Sequence, residues 1–312
     1  MDKVNFKPRR LGHVNIYADE LQRSMDFYEK VCGIELVCIE DQLKAGFHSN
    51  GNTHHDIGIV ETSKGVDRIG RDGKIQVPKT RGIKPGLNHL GWEMENEAQL
   101  VDAYKRLKAA GFGTAALFDH RISHAIYITD PDGNAHEFYA DTTKDWRSLM
   151  NLERRELMTS QWDPLAESRP NTQPFYTEAP PIRQVAEAPL HPRHTAGALF
   201  QTTNFEAMTG FITDVIGLRK VSEKTQGGLR RAVYEGTHGN RDLVLQEVAQ
   251  GQPTGYRRFA MVLESGTDLD TAKKRLQSKG VGPIENIEDD GRQGIVLTDP
   301  DGMQIEFYKL AA

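Results

Sequence analysis

The sequence predicts an α+β fold in which four tandem βαβββ modules form two open, barrel-like domains. A long-range repeat is the first sign. DPDGNAHEFY at 130–139 returns as DPDGMQIEFY at 299–308, an offset of 169 that also carries KRLKAAGFG (105–113) onto KRLQSKGVG (274–282). FYEKVCGIELV (27–37) returns as FITDVIGLRKV (211–221) at an offset of 184. Both offsets lay the second half of the chain on the first, and their difference puts about fifteen extra residues between the two quarters of the first copy. The second sign is a change of period within each quarter, from the two-residue alternation of strands to helical spacing and back. The third is length. A chain of 312 residues suits two domains, and a domain of about 150 residues buries roughly 70% of its unfolded surface.

In the first module LGHVNIY reads as a strand. Leu21, Met25, Tyr28 and Val31 then share one helix face, and Gly33 stands where that helix must stop. A second strand follows, with two more near 43–48 and 55–61. The second module repeats the plan: LNHLGWEM, a helix stopped by Gly111, and strands near 113–119, 122–129 and 135–140, with Asp132-Gly133 turning the last hairpin. The modules therefore run at 10–62, 87–141, 195–248 and 255–310. They make an N-terminal domain at 1–141, a connection at 142–194 and a C-terminal domain at 195–312. The connection holds seven prolines, and 146–158 (WRSLMNLERRELM) is its one expected helix. The Gly-, Lys- and Arg-rich stretch 63–86 is expected to be a solvated loop rather than a lid.

With 38% hydrophobic and 27% charged residues, the composition is that of a globular protein. The 39 basic and 44 acidic residues are interspersed, leaving a net charge of −5 and no basic stripe, which argues against nucleic acid as a partner. No apolar run approaches the ~18 residues of a membrane span, and no apolar segment follows the basic N-terminus as in a signal peptide. Cys32 and Cys38 are the only cysteines, so a reduced, cytoplasmic setting is expected.

Eleven histidines remain. His13 lies in the first strand of module one, His89 at the same place in the first strand of module two, and Glu137 in the last strand of module two. If paired modules curl into one trough, these three side chains point into it. Two imidazoles and a carboxylate on one face of a cation are the set used by non-haem Fe(II), and Mn(II) accepts the same donors. The C-terminal domain is an internal control: the same countings land on Gly197 and Arg258, with only Glu306 in register with Glu137. His194 is three residues out of place. That domain is expected to share the fold but to lack the metal.

The fourfold βαβββ plan with His13, His89 and Glu137 so placed resembles the vicinal oxygen chelate superfamily, and within it the two-domain extradiol catechol dioxygenases. The fold resemblance covers nearly the whole chain and the ligand resemblance 10–141. DPDGN…E alone is shared across that superfamily, including glyoxalase I and fosfomycin-resistance proteins. HHDIGIV (54–60) resembles the dioxygenase strand whose His-Asp pair supplies an acid/base histidine, here His55 followed by Asp56. DHRIS (119–123) resembles the family's Arg-His-Gly-Ile-Ser loop and implies a second active-site histidine, His120. Asp119 replaces the arginine, and the loop is shorter by about two residues. Tyr127 matches the family's active-site tyrosine. The metal-bearing half is first in this chain, whereas the familiar relatives carry it second.

The resemblance implies an oxidoreductase that opens a catechol-type ring beside its hydroxyls, inserting both atoms of O2 and serving aromatic catabolism. Fe(II) would be held by His13, His89 and Glu137; His55 would move protons, while His120 and Tyr127 would donate hydrogen bonds. Assembly into a homo-oligomer is also expected. Two alternatives stand beside this. A glyoxalase-like isomerase or epimerase would use a redox-inert metal and a fourth ligand, for which Glu61 is nearest. A non-catalytic small-ligand binding protein would not need the proton-handling residues. Arg71, Lys79 and Arg81 in 63–86 are candidates to read a substrate carboxylate.

Overall fold

The first strand, β1 (Arg10–Ala18), is buried along its entire length, as a strand covered on both faces must be. The computed structural model describes residues 4–114, 116–150, 160–166, 168–239, 241–289 and 291–310. After β1 come α1 (Leu21–Lys30), β2 (Leu36–Glu40), β3 (Ala45–His48) and β4 (Ile57–Glu61). Helix α1 turns Met25 and Tyr28 inward and is followed by Gly33 at φ +76°. A small antiparallel pair follows, β5 (Arg68–Ile69) with β6 (Ile75–Val77). Module two is β7 (Gly86–Glu93), α2 (Glu97–Ala109), β8 (Ala116–Asp119), β9 (Ser123–Thr129) and β10 (Ala135–Asp141). Asn96 caps α2 by accepting a hydrogen bond from the Gln99 N–H, and Leu100, Tyr104 and Leu107 make its buried face.

The connecting stretch contributes α3 (Trp146–Leu149) and β11 (Ser160–Gln161), which pairs with β8. Only the first part of the helix expected at 146–158 is observed; 151–159 lies outside the described residues. The second half of the chain repeats the plan. It runs β12 (Pro192–Thr202), α4 (Phe205–Gly210) with a π-helical turn at Phe211–Ile216, β13 (Arg219–Gln226), β14 (Leu229–Glu235) and β15 (Leu243–Glu247). β16 (Gly255–Leu263), α5 (Leu269–Ser278), β17 (Glu285–Asp289), β18 (Arg292–Thr298) and β19 (Gln304–Leu310) complete it.

Each half curls into one sheet. The first has the order β11-β8-β9-β10-β7-β1-β4-β3-β2 and the second β13-β14-β15-β12-β16-β19-β18-β17. In both, the leading strands of the two modules meet antiparallel at the centre, β1 with β7 and β12 with β16, and each runs parallel to the last strand of its own module. The architecture is thus α+β, with two half-barrel sheets built from repeated modules. One apolar core, including Tyr28, Trp92, Phe138, Phe200, Phe259 and Phe307, runs through both halves.

The halves also exchange polar contacts with the symmetry of the repeat. The Asp56 carboxylate accepts from Thr195 N–H at 3.1 Å, and the Asp242 carboxylate accepts from Leu11 N–H at 2.8 Å. Thr195 and Leu11 correspond at the 184-residue offset, so each half clasps the other's leading strand with an aspartate from its own fourth strand region. Cys32 and Cys38 are buried and are not joined in a disulfide. Among the described residues no helix is long and apolar enough to cross a membrane.

Candidate metal centre

Strand register brings the expected ligands together. In the β10-β7-β1 order, Gly91 of β7 lies opposite His13 of β1 on one side and Glu137 of β10 on the other. Neighbouring strands are about 4.8 Å apart, so His13 and Glu137 are separated by two strand spacings and must meet above residue 91. They do, because residue 91 has no side chain: a Cβ there would lie 2.0 Å from His13 Nε2. Nε2 of His13 is 2.9 Å from Glu137 Oε2, and Nε2 of His89 is also 2.9 Å from that same oxygen.

All three residues are buried. The His89 approach lacks hydrogen-bond geometry, which leaves its Nε2 buried without a hydrogen-bond partner. A divalent cation answers this arrangement. Ligand atoms at about 2.1 Å from one ion and at right angles to each other lie about 3 Å apart, the spacing found here. Burial pushes the His13 imidazole down to about 4, so it is neutral and can offer a lone pair. Burial alone would raise the Glu137 carboxyl, but His13 and His89 beside it hold it well below the usual carboxylate range. The donors are therefore two imidazole nitrogens and one ionised oxygen, a set suited to Fe(II) or Mn(II).

His13, His54 and His55 also lie close enough to share an ion. Each of the latter two is already committed: His54 Nδ1 is 3.0 Å from Asp141 Oδ1, and His55 Nε2 is 3.0 Å from Asn15 Oδ1. That second set also contains no anion, so the Glu137 set matches a dication better.

Around the three donors stand the other expected residues. The His55 ring lies on the His13 ring, centroids 4.0 Å apart. Because Asn15 Oδ1 can only accept, His55 donates from Nε2 and keeps its lone pair on Nδ1, which is buried without a hydrogen-bond partner. Burial, then the neighbouring imidazoles, lowers its basicity well below that of a free histidine. Tyr127 is the cross-strand neighbour of Glu137 and hydrogen-bonds to it, with its hydroxyl 3.2 Å from His120 Nε2. Burial, reinforced by the Glu137 charge, raises the Tyr127 hydroxyl well above its usual value, so it keeps its proton and can donate. His120 Nε2 is 3.8 Å from Glu137 Oε1, and burial lowers this imidazole too.

These groups line a cavity whose walls include Tyr17, Leu43, Phe47, Phe118, Ile122 and Met150. The stretch 63–86 is largely exposed, as expected of a solvated loop, but it also carries the short β5–β6 pair, and Arg71, Gln76, Val77 and Arg81 line the cavity from it. Arg71 is engaged with Glu40 at 3.1 Å, and Arg81 hydrogen-bonds to Tyr17. The Lys79 backbone is tied to the Asp67 and Ser63 side chains, and the residue is absent from the cavity wall. Glu61 is not brought to the centre: it binds Lys44 at 2.9 Å and caps Leu21 N–H. His124 stacks on Trp162 and bonds Glu97 at 2.6 Å, away from the cavity.

Sequence reasoning missed Asn15, His54 with Asp141, and Gly91. A glycine inside the strand LNHLGWEM was the available signal for the last, since such a glycine marks close approach by another group.

His13, His89 and Glu137, set at the base of a largely apolar cavity on paired βαβββ modules, form a group that could hold a metal ion. The chain belongs to the glyoxalase/bleomycin resistance protein/dioxygenase superfamily, whose model matches residues 10–138 and 192–307. It is 24% identical over 131 residues to the probable trivalent organoarsenical cleaving enzyme of Bacillus subtilis, a match covering 41% of this chain and 77% of that protein. It is 24% identical over 138 residues to metapyrocatechase 2 of Cupriavidus necator, covering 43% of this chain but 37% of that protein. Curated relatives of this kind thus align with about one half of the chain, and less than half of the metapyrocatechase is spanned. In overall fold the chain is similar to the 2,3-dioxygenase LapB of Pseudomonas sp. KL28, with a TM-score of 0.67 at 16% identity over 98% of this chain and 93% of that one. The Mn(II)-bound glyoxalase of Novosphingobium aromaticivorans gives a TM-score of 0.64 at 15% identity, over 97% and 82%.

Proposed function

We propose that the protein is an extradiol ring-cleavage dioxygenase that acts on a catechol-type aromatic with O2, its metal held by His13, His89 and Glu137 in an N-terminal catalytic half at 1–141. The observation that carries this reading is the convergence of two imidazole nitrogens on one carboxylate oxygen, each at 2.9 Å, in a cavity that also presents His55, His120 and Tyr127. The C-terminal half at 195–312, joined through 142–194, is the degenerate copy. Fe(II) is the proposed cofactor, with Mn(II) served by the same donors; His13, His89 and Glu137 would hold the ion, which would favour the deprotonated catechol and supply the redox chemistry with O2.

The chain's own residues do the rest. The apolar walls formed by Phe47, Phe118 and Ile122 accept the aromatic ring and exclude water. His55, anchored through Nε2 to Asn15, takes a phenolic proton on Nδ1 and later returns it. Lowered basicity suits this role, because the imidazole is neutral and ready to accept at pH 7. Tyr127 and His120, linked at 3.2 Å, donate hydrogen bonds toward oxygen atoms that gain charge as the ring opens.

A glyoxalase-like reading needs a fourth protein ligand, and Glu61 is occupied by Lys44. The test is oxygen uptake by anaerobically Fe(II)-loaded protein across a set of substituted catechols. One O2 consumed per catechol, with a yellow ring-opened product, is the expected result. Iron bound at one per chain with no uptake for any catechol would overturn the proposal.

A further inference from the structure

The strand that carries His89 is bulged at the residue before it. Asn15 of β1 pairs with His89 of β7, but Ile16 pairs with Leu87, so Asn88 is an extra residue of β7 in this ladder. Neighbouring side chains of a regular strand point to opposite faces. The bulge breaks that alternation, and Asn88 and His89 both line the cavity of the metal centre. Asn88 Oδ1 lies 3.2 Å from His89 Nδ1. The C-terminal copy keeps the bulge: Leu199 pairs with Arg258, the counterpart of His89, and Phe200 pairs with Tyr256, so the extra residue there is Arg257. The scaffold therefore supplies the bulge, and the amide belongs to the half that holds His89.

We propose that Asn88 is a positioning residue of the metal centre: its amide oxygen holds the His89 proton on Nδ1 and so presents Nε2 as a lone pair to a divalent cation. This rests on the reading of His89 as a metal ligand. A neutral imidazole carries one proton, and the nitrogen that keeps it is set by the hydrogen bond that proton makes. An amide oxygen only accepts, so a proton on Nδ1 is satisfied by Asn88. A proton on Nε2 is not. That atom lies 2.9 Å from Glu137 Oε2 without hydrogen-bond geometry toward it, and it is buried without a hydrogen-bond partner. Leaving a buried N–H unsatisfied costs free energy, so the fold itself favours the tautomer that a metal requires. His13 has no such aid, because its Nδ1 is buried without a hydrogen-bond partner. Of the two imidazoles, His89 is the one preset as a ligand.

The experiment reads the tautomer and the metal separately, on the full-length protein. With nitrogen-15 in the histidines and before metal is added, long-range proton–nitrogen correlations in mildly alkaline buffer should show His89 in the Nδ1–H form, its signals assigned by their loss in H89Q. N88A should leave a mixture of the two forms and weaken Mn(II) binding, measured by calorimetry, about ten- to hundredfold. N88D, which keeps an acceptor in the same place, should restore the affinity, whereas N88L, of similar size but without an acceptor, should not. The Nε2–H form in the parent protein, meaning that the amide turns its NH2 to the ring, would overturn the proposal whatever the variants do. So would equal Mn(II) affinity in the parent, N88A and N88L. Metal that binds as expected without oxygen uptake would count against ring cleavage alone and leave the role of Asn88 standing.

Discussion

Gly91 and Ala260 occupy the same place in the two halves, yet around one a histidine reaches a carboxylate and around the other it cannot. In the first trough the His13 ring lies across position 91; in the second, position 260 carries a methyl group, the opposing residue is Gly197, and arginines cross to the glutamate instead. Backbone register is the same in both. The repeat therefore supplies the scaffold, and a single missing Cβ, together with the residue opposite it, decides whether donor atoms can converge on one oxygen.

The largest expected effect comes from breaking that difference. Gly91→Ala places a methyl carbon within 2.0 Å of the present His13 Nε2, so the ring must leave. Metal content measured by elemental analysis should fall from one equivalent to near zero, while the circular dichroism spectrum is retained. The converse is a graft of Gly197→His, Arg258→His, Arg292→Ser and Ala260→Gly, which should give a second equivalent of bound metal. The same graft with Ala260 left in place should not. Equal metal binding by the two grafts would show that the size of this residue does not control the site.

A second, smaller effect separates holding the metal from moving protons. His55→Gln should lower kcat about 10²- to 10⁴-fold with metal content unchanged. Gly58→Ala acts one step further away: its Cβ would lie 2.3 Å from Asn15 Oδ1, disturbing the acceptor that fixes the His55 ring. About a tenfold loss of kcat is expected, again with full metal. Loss of metal in His55→Gln would move His55 into the ligand set, with His13 and His54.

These residues also show which parts of the molecule could be read in advance. The module plan was legible because repeated strings such as DPDG and KRL fall at constant offsets, and His13, His89 and Glu137 stood out as ligand types at matched positions of that plan. Asn15, Asp141 and Gly91 did not, because their roles arise only when strands far apart in sequence are laid side by side. Asn15 looks like any polar residue in LGHVNIY until β4 and the turn before it bring His55 within 3.0 Å. The stretch 63–86 reads as a solvated loop because charge and glycine dominate it, and most of it is exposed, but its Arg71 and Arg81 also contact Glu40 and Tyr17 at the cavity wall. Asp56 was legible as half of a His-Asp pair, yet its carboxylate turns away from the centre to Asn50 and Thr195 N–H groups, a contact set by the packing of one half on the other.

That contact leads to the smallest effect, one that acts on what the two halves have in common. Asp242 is the counterpart of Asp56. It accepts from Leu11 and Gly236 N–H groups, with Arg10, Glu93 and Tyr308 as its charged or titratable neighbours. Burial outweighs those hydrogen bonds and pushes the Asp242 carboxyl up to about 7, and that of Asp56 up to about 6. A raised value means that the folded protein holds this proton more tightly than the unfolded chain. The contribution to stability is therefore complete below about pH 4 and is lost as pH rises through about 7. Asp242→Asn keeps the shape of the protonated carboxyl and cannot ionise. In urea unfolding, its stability relative to the parent should rise between pH 5 and pH 8, by on the order of 2 kcal/mol. A difference that stays constant over this range, or that moves against the variant, would mean that the Leu11 and Gly236 hydrogen bonds keep Asp242 ionised at its ordinary carboxylate value, and that the clasp between the halves is made by a charge.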